Sequence, residues 1–390
     1  MKENLVQELE KLVKDFPLDN RDRFGRAIEG PLWSGSDIAH KIIELIKSDK
    51  RLEIFDNHHQ RFGDSSYMIS YNDLLLWLEE STRRIGADKS VDNLFKYTAA
   101  KSVSVQYVEL IIGTLADSEY TFCNGIKLTS PHNLANLELA ATLVNESYYA
   151  QTPYPKVTMV LIGYVNHPII HKRADIDYGM WEKIETPHEQ LEDVRLCISL
   201  SRHPRHGIHS LARTYSVSAD LPFLKKGTSW SLLPFKYPSM QNSILEMELR
   251  NADELLNKYQ NLEPDFKQHL KIPLHKLNDY GSGEDSVDKA IDLRTCLESI
   301  FLGEDDKEQI GFRLALRASL LLGTDFGNRK EIFSLMKKTY SITSRAVHNG
   351  KFDKKDKIKD LDKAAQLARK ALIHLINNGP VDWEELELRK

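Results

Sequence analysis

The sequence predicts an α+β chain of more than one domain: a mixed α/β N-terminal region over residues 1–240, then an all-helical region over residues 241–390. Three observations predict it. Apolar residues recur at helical spacing over the first 85 residues. Short β-branched runs then take over as far as Val217. From Ser239 onward strand patterning stops, and helix start and stop signals become regular. The 390 residues are 41% hydrophobic and 28% charged, enough for at least two cores, and the N-terminal region is long enough for two subdomains.

Glu3 to Phe16 sets Leu5, Leu9, Leu12, Val13 and Phe16 on one helical face. Ser36 is placed to cap a second helix carrying Ile38, Ile42, Ile43 and Ile46, and Tyr71 to Ile85 reads as a third. Val103, Val105, Tyr107, Glu109 and Ile111 alternate as a strand would, and Asn124-Gly125 sits between β-prone runs as a hairpin turn. Lys156–Val165, Pro168–His171 and Thr214–Val217 are further strands; His132–Glu146 and Pro187–Ser199 are helices between them. In the second region Asp285-Ser286 starts a helix running through Phe301, and Asp305-Asp306 precedes one ending at Gly323. Asn328 with Glu331 reads as a capping box for a helix stopping at Asn349-Gly350. Asp360 opens the last long helix, which Asn377-Asn378-Gly379-Pro380 closes.

Composition excludes several classes. Lys and Arg number 53 against 57 Asp and Glu, so no field of the whole chain draws nucleic acid. The longest apolar run, Val157–Val165, is far short of the ~20 residues that span a bilayer. The start MKENLVQELE reads as an acidic helix rather than a secretory signal. Cys123, Cys197 and Cys296 lie far apart without a CxxC pair, which fits a reducing cytoplasm and a protein with no metal or cofactor. Charge does divide locally. Residues 281–310 hold three Lys/Arg against nine Asp/Glu, whereas residues 311–370 hold fifteen against six. Such a basic block can meet a phosphate backbone, and it reads equally as a solvated face.

Other clusters carry less. His203, His206 and His209 are spaced by three, but Pro204 and Gly207 break a helix and a strand would alternate their sides; a solvated basic loop touching RNA fits better than zinc. Asp288 and Asp292 read as helix-dipole partners rather than metal ligands. Gly281-Ser282-Gly283 lacks the residues of a phosphate loop.

Three runs go together: IPLHKLNDYGSGEDSVDKAIDLRTCLESIFL (Ile272–Leu302), RLALRASLLLG (Arg313–Gly323) and KKTYSITSRAVHNGK (Lys337–Lys351). In type and order they resemble the Apea-like branch of the HEPN superfamily. The resemblance implies a HEPN-type helical bundle that pairs with a second copy, and a metal-independent endoribonuclease of a bacterial toxin or antiviral (phage) defence system. It also implies an RNA partner, with tRNA and phage RNA among the candidates. The branch's motif runs Tyr-x-x-Arg-Ser-x-x-Val-His; here Tyr340, Ser344, Val347 and His348 are in place, and Thr343 stands at the Arg position.

Chemistry applied to these residues gives the same candidates. Metal-free RNA cleavage needs an acid, a base and a cation for the crowded phosphorane. His348, in the last turn of its helix, suits the proton role. Ser344, Arg345, Ser341 and Lys337 follow it on one stripe, while Thr343 aligns with Ile332, Met336, Tyr340 and Val347 on the apolar face. Arg345 is then the nearest substitute for the motif Arg, with Lys337 or Arg317 behind it. The plainer reading makes His348 a C-cap donor and Arg345 a solvated charge. Glu298 lies on an apolar flank and needs a cation, for which Arg313 and Arg317 are placed; it either orients the active Arg or His or forms a structural ion pair. Lys351, Lys354, Lys355 and Lys357 are candidate RNA contacts. The alternative function is a catalytically inactive HEPN protein serving dimerisation or RNA binding.

Overall fold

The computed structural model describes residues 1–17, 33–56, 58–62, 65–134, 137–145, 154–168, 170–173, 187–217, 230–235, 242–282, 285–303, 308–350 and 358–388. The architecture is α+β: an antiparallel sheet among helices. The N-terminal helices α1 (Lys2–Asp15), α2 (Asp37–Lys47), α3 (Tyr71–Ile85) and α4 (Ala87–Ala99) pack on one another. Ser36 accepts from the Ala39 amide at the start of α2, and Ser70 with Asp73 forms a reciprocal capping box for α3. Gly86 at φ +89° turns α3 into α4.

A small antiparallel sheet joins β1 (His58–Phe62), β2 (Ser65–Met68) and β8 (Ile170–Arg173) in the order β2-β1-β8. The main sheet is antiparallel and six-stranded, centred on β3 (Ser102–Ile112). Its order is β10 (Trp230–Leu232), β9 (His209–Val217), β3, β7 (Val157–Pro168), β6 (Lys127–Thr129), β5 (Tyr120–Thr121). The β5–β6 hairpin turns at Asn124-Gly125, where Gly125 takes φ +82°. Both sheet faces are covered, so β3 is buried almost throughout. Val105, Tyr107 and Ile111 face the main core; Val108, Leu110 and Ile112 face a second cluster with Leu139, Ala140 and Leu143 of α5 (Leu137–Val144).

The other described elements are helical except for two short strands. α6 (His188–Ser201) packs on α7 (Glu246–Gln260) and α8 (Pro264–Ser282), and α8 packs on α9 (Ser286–Phe301). α10 (Ile310–Leu322) lies against α11 (Phe326–Asn349), and α12 (Ile358–Asn378) touches every helix from α7 to α11. Its buried Ala364, Ala365, Ala368 and Ala371 let those neighbours approach closely. A short α13 (Trp383–Leu388) ends the described chain. No helix among the described residues is long and apolar enough to cross a membrane.

Three expectations change. β11 (Asn242–Ile244) pairs in parallel with β4 (Thr114–Ala116), so strand structure crosses the expected boundary at 240/241. One hydrophobic core likewise runs from Leu5 of α1 to Ile376 of α12. α11 is capped by Asp325, whose carboxylate accepts from the Asn328 amide, so Asn328 and Glu331 lie inside the helix. α12 begins at Ile358, two residues before Asp360, and Ile272-Pro273-Leu274 sits mid-helix in α8.

Candidate functional site

α11 carries the motif residues and sorts them by side. Its inner face buries Ile332, Met336, Thr339, Ile342, Thr343 and Ala346. The opposite stripe, at spacings of four, four and three, exposes Lys337, Ser341, Arg345 and His348. Gly350 at φ +58° ends the helix, its amide bonding the Ala346 carbonyl.

Beside this stripe opens a cleft of about 410 Å³ between the start of α10 and α11. Gly311 and Phe312 form one wall; Lys337, Tyr340, Ser341, Ser344 and Arg345 form the other. Gly311 is required, since a Cβ there would stand 2.6 Å from the Tyr340 ring. Arg345 Nη1 donates to Ser341 Oγ at 3.3 Å. His348 lies one turn beyond the cleft, solvent-exposed, with no hydrogen bond to a described residue; the C-cap donation of the plainer reading is not formed. Thr343 is fully buried, its Oγ1 donating to the Tyr340 carbonyl at 3.2 Å.

Behind Tyr340 stands Arg294 of α9. Its Nη2 reaches the Tyr340 hydroxyl at 3.2 Å, its guanidinium lies 5.0 Å over the ring, and its Nε donates to Glu298 at 2.9 Å. Arg294 Nη1 is buried without a partner. The cation of Glu298 is therefore Arg294, on its own helix, and not Arg313 or Arg317. Arg317 is a buried tie: Nε donates to Glu387 at 2.6 Å, Nη1 to the Phe301 carbonyl at 2.8 Å, and the guanidinium lies 5.3 Å over Trp383. It holds α13 onto the bundle and does not line the cleft. Lys351, Lys354, Lys355 and Lys357 lie outside the described residues. Arg294 was legible only as the residue four before Glu298.

The histidine loop is docked rather than solvated. His203 meets Gln366 at 2.9 Å, Arg205 pairs with Asp362, and Arg369 donates to the Leu200 and Ser201 carbonyls. Arg202, 2% exposed, donates to the Ser243 carbonyl at 2.7 Å and pairs with Glu248 at 3.3 Å. Burial, and the Arg202 charge after it, push the His206 imidazole below its usual pKa. His209 belongs to β9, and no group of three or more His, Cys, Asp or Glu among the described residues is arranged to hold a metal ion. Asp292 pairs with Lys276 at 2.9 Å.

Sequence reasoning missed a second polar centre. Glu109, fully buried on β3, accepts from Arg195 Nε and Arg213 Nε, both at 2.8 Å. Glu192 lies 3.6 Å from Arg195, 3.5 Å from Arg213 and 3.4 Å from His275 Nε2. Burial would raise its pKa, but His275, Arg195 and Arg213 outweigh burial and hold it down at about 2. The signal was a carboxylate in line with the apolar Val103, Val105, Tyr107 and Ile111. No protein-family profile, curated protein or solved structure matches the chain.

Proposed function

We propose that the chain is a HEPN-type RNA effector of a bacterial toxin or antiviral defence system, acting as a metal-independent endoribonuclease along the outer stripe of α11. The observation that supports this reading is the alignment of Lys337, Ser341, Arg345 and His348 on one exposed stripe beside an open cleft. In this reading RNA lies along the stripe, Lys337 and Arg345 meet its phosphates, and His348 moves the proton of the 2′-hydroxyl or of the leaving 5′-oxygen. One histidine serves one of these roles for a given phosphate, so a second copy supplies the other. Phe312 and Val347, 47% and 43% exposed, offer apolar surface for that pairing.

The burial of Thr343 favours a second reading. The motif's Arg position faces the core here, so Thr343→Arg would force a guanidinium among buried side chains and destabilise the fold instead of raising activity. The cation must then come from Arg345 or Lys337. If neither serves, the domain is a catalytically inactive HEPN module for dimerisation or RNA binding.

The test incubates the full chain with tRNA and single-stranded RNA in the presence of EDTA. His348→Ala should cost about 10²–10⁴-fold in cleavage rate with an unchanged circular dichroism spectrum. Arg345→Ala should cost a comparable factor. Cleavage that survives His348→Ala, or that requires added divalent metal, overturns the nuclease. RNA binding without cleavage, weakened when Lys354, Lys355 and Lys357 are charge-reversed, is the result expected of the inactive module. Light scattering of the full chain should report a dimer.

A further inference from the structure

α12 carries a second basic stripe. Lys359, Lys363, Gln366 and Lys370 follow one another at spacings of four, three and four, so they share one side of the helix, and all four are exposed. The stripe runs for about 16 Å at 1.5 Å per residue. The docked histidine loop widens its middle, setting His203 on Gln366 at 2.9 Å and the half-exposed Arg205 against Asp362. The Lys338–Asp360 pair, at 2.7 Å, sets its start beside the middle of α11.

Two features separate this stripe from an ordinary solvated face. The first is unmatched charge. α12 has two carboxylates, and both are taken: Asp360 by Lys338, and Asp362 by Arg205 and the Tyr280 hydroxyl. Lys359, Lys363 and Lys370 have no ion-pair partner among the described residues. Arg369 spends its donors on the Leu200 and Ser201 carbonyls rather than on a carboxylate. Lys359 and Lys363 thus place like charges one turn apart, which costs a helix stability unless an anion offsets it. The second feature is composition. Between Lys359 and Lys370 the helix exposes no large apolar side chain. A protein partner needs apolar or aromatic anchors at the centre of its interface, whereas a phosphate backbone is held by charge.

We propose that this stripe of α12 binds the phosphate backbone of RNA, as a contact track additional to the α11 site. The proposal rests on the RNA-effector reading for its choice of partner, and not on cleavage. Lysine ammoniums meet phosphates as point charges on flexible stems, which suits contacts that hold a strand in place without reading its sequence.

The experiment is fluorescence anisotropy of the full chain with a single-stranded RNA whose 2′-hydroxyls are methylated, so that it binds without being cut, over a series of salt concentrations. Lys359→Gln/Lys363→Gln/Lys370→Gln should weaken binding to A-rich and U-rich strands alike. It should also make the plot of log K against log salt shallower by about 2, since each phosphate contact on a single strand contributes about 0.7. Lys359→Arg/Lys363→Arg/Lys370→Arg keeps the charge and should keep both affinity and slope. Circular dichroism should be unchanged in both variants, the three positions being exposed. Three results overturn the proposal: no RNA binding by the wild type, affinity and slope unchanged in the Gln variant, or poly-L-glutamate bound as tightly as RNA and lost in the same variant, which would give the stripe to an acidic protein. Cleavage of unmethylated RNA is a separate readout. A wild type that binds through α12 but never cuts overturns the nuclease and upholds this proposal; one that cuts, with binding indifferent to the Gln variant, does the reverse.

Discussion

Gly281, at the end of α8, meets Gly207 backbone to backbone. A Cβ on Gly281 would stand 2.6 Å from the Gly207 nitrogen and 2.5 Å from the Pro204 carbonyl oxygen. A Cβ on Gly207 would stand 2.3 Å from the Asn278 carbonyl oxygen. This contact seats the 202–208 loop on the helices, with the Ile208 amide on Asn278 Oδ1.

Gly281→Ala should therefore destabilise the protein by about 1–3 kcal/mol, the usual cost of overpacking. The sign is informative, because helix propensity alone would make Ala better than Gly by up to about 1 kcal/mol. A urea midpoint that stays or rises would show that the backbones are not in contact.

Glu109→Gln should cost about 3–5 kcal/mol, since it leaves Arg195 and Arg213 buried with half their compensation gone. Both guanidiniums would still face Glu192. The measurement is chemical denaturation, and a loss below about 1 kcal/mol would mean that water reaches the cluster.

Acid should weaken the same region. The folded pKa of Glu192, about 2, lies below its ordinary 4.5. A depressed carboxylate stabilises the fold above its unfolded pKa, and that stability drains away as pH falls from 4.5 toward 2. Up to about 3 kcal/mol is at stake. Asp193 runs the other way: burial raises its pKa more than Lys267 lowers it, so its contribution is full at low pH and fades as pH rises through its folded value. Glu192→Gln should flatten the acid limb of a stability–pH curve. An acid limb identical to wild type would remove Glu192 as its source.

Arg317→Met should loosen α13 without touching the α11 stripe. It removes charge-assisted bonds to Glu387 and the Phe301 carbonyl, a loss of about 2–3 kcal/mol, and the cation over Trp383. A red-shifted tryptophan emission should accompany the lower denaturation midpoint. Unchanged emission would place α13 elsewhere.

Much of the local structure was legible. Ser36, Asp285, Gly350 and Gly379 mark helix ends as read, and α3 spans Tyr71–Ile85 as its periodicity predicts. The polar stripe of α11 and the inward position of Thr343 also follow from spacing alone. The cap of α11 was misread by one turn because Asp325 and Asn328 are both good cap residues, and only the chain's path into the helix selects Asp325.

By itself, then, the sequence determined many of the helices and of the strands of the main sheet, though not β1, β2, β4, β11 or α4, and it determined which side of α11 is apolar, because those properties depend on residues within four positions of one another. The tertiary structure alone decided the rest. Arg294 meets Tyr340 across 46 positions, Glu109 meets Arg195 across 86 and Arg213 across 104, and β11 finds β4 across more than a hundred. A buried charge must have a partner, but nothing local says which one: Glu298 had three arginines within 19 residues, and packing of α9 against α11 chose the one on its own helix. The cavity of about 430 Å³ lined by residues of β9, α6, α8 and the 233–235 segment is likewise absent from any single stretch of sequence.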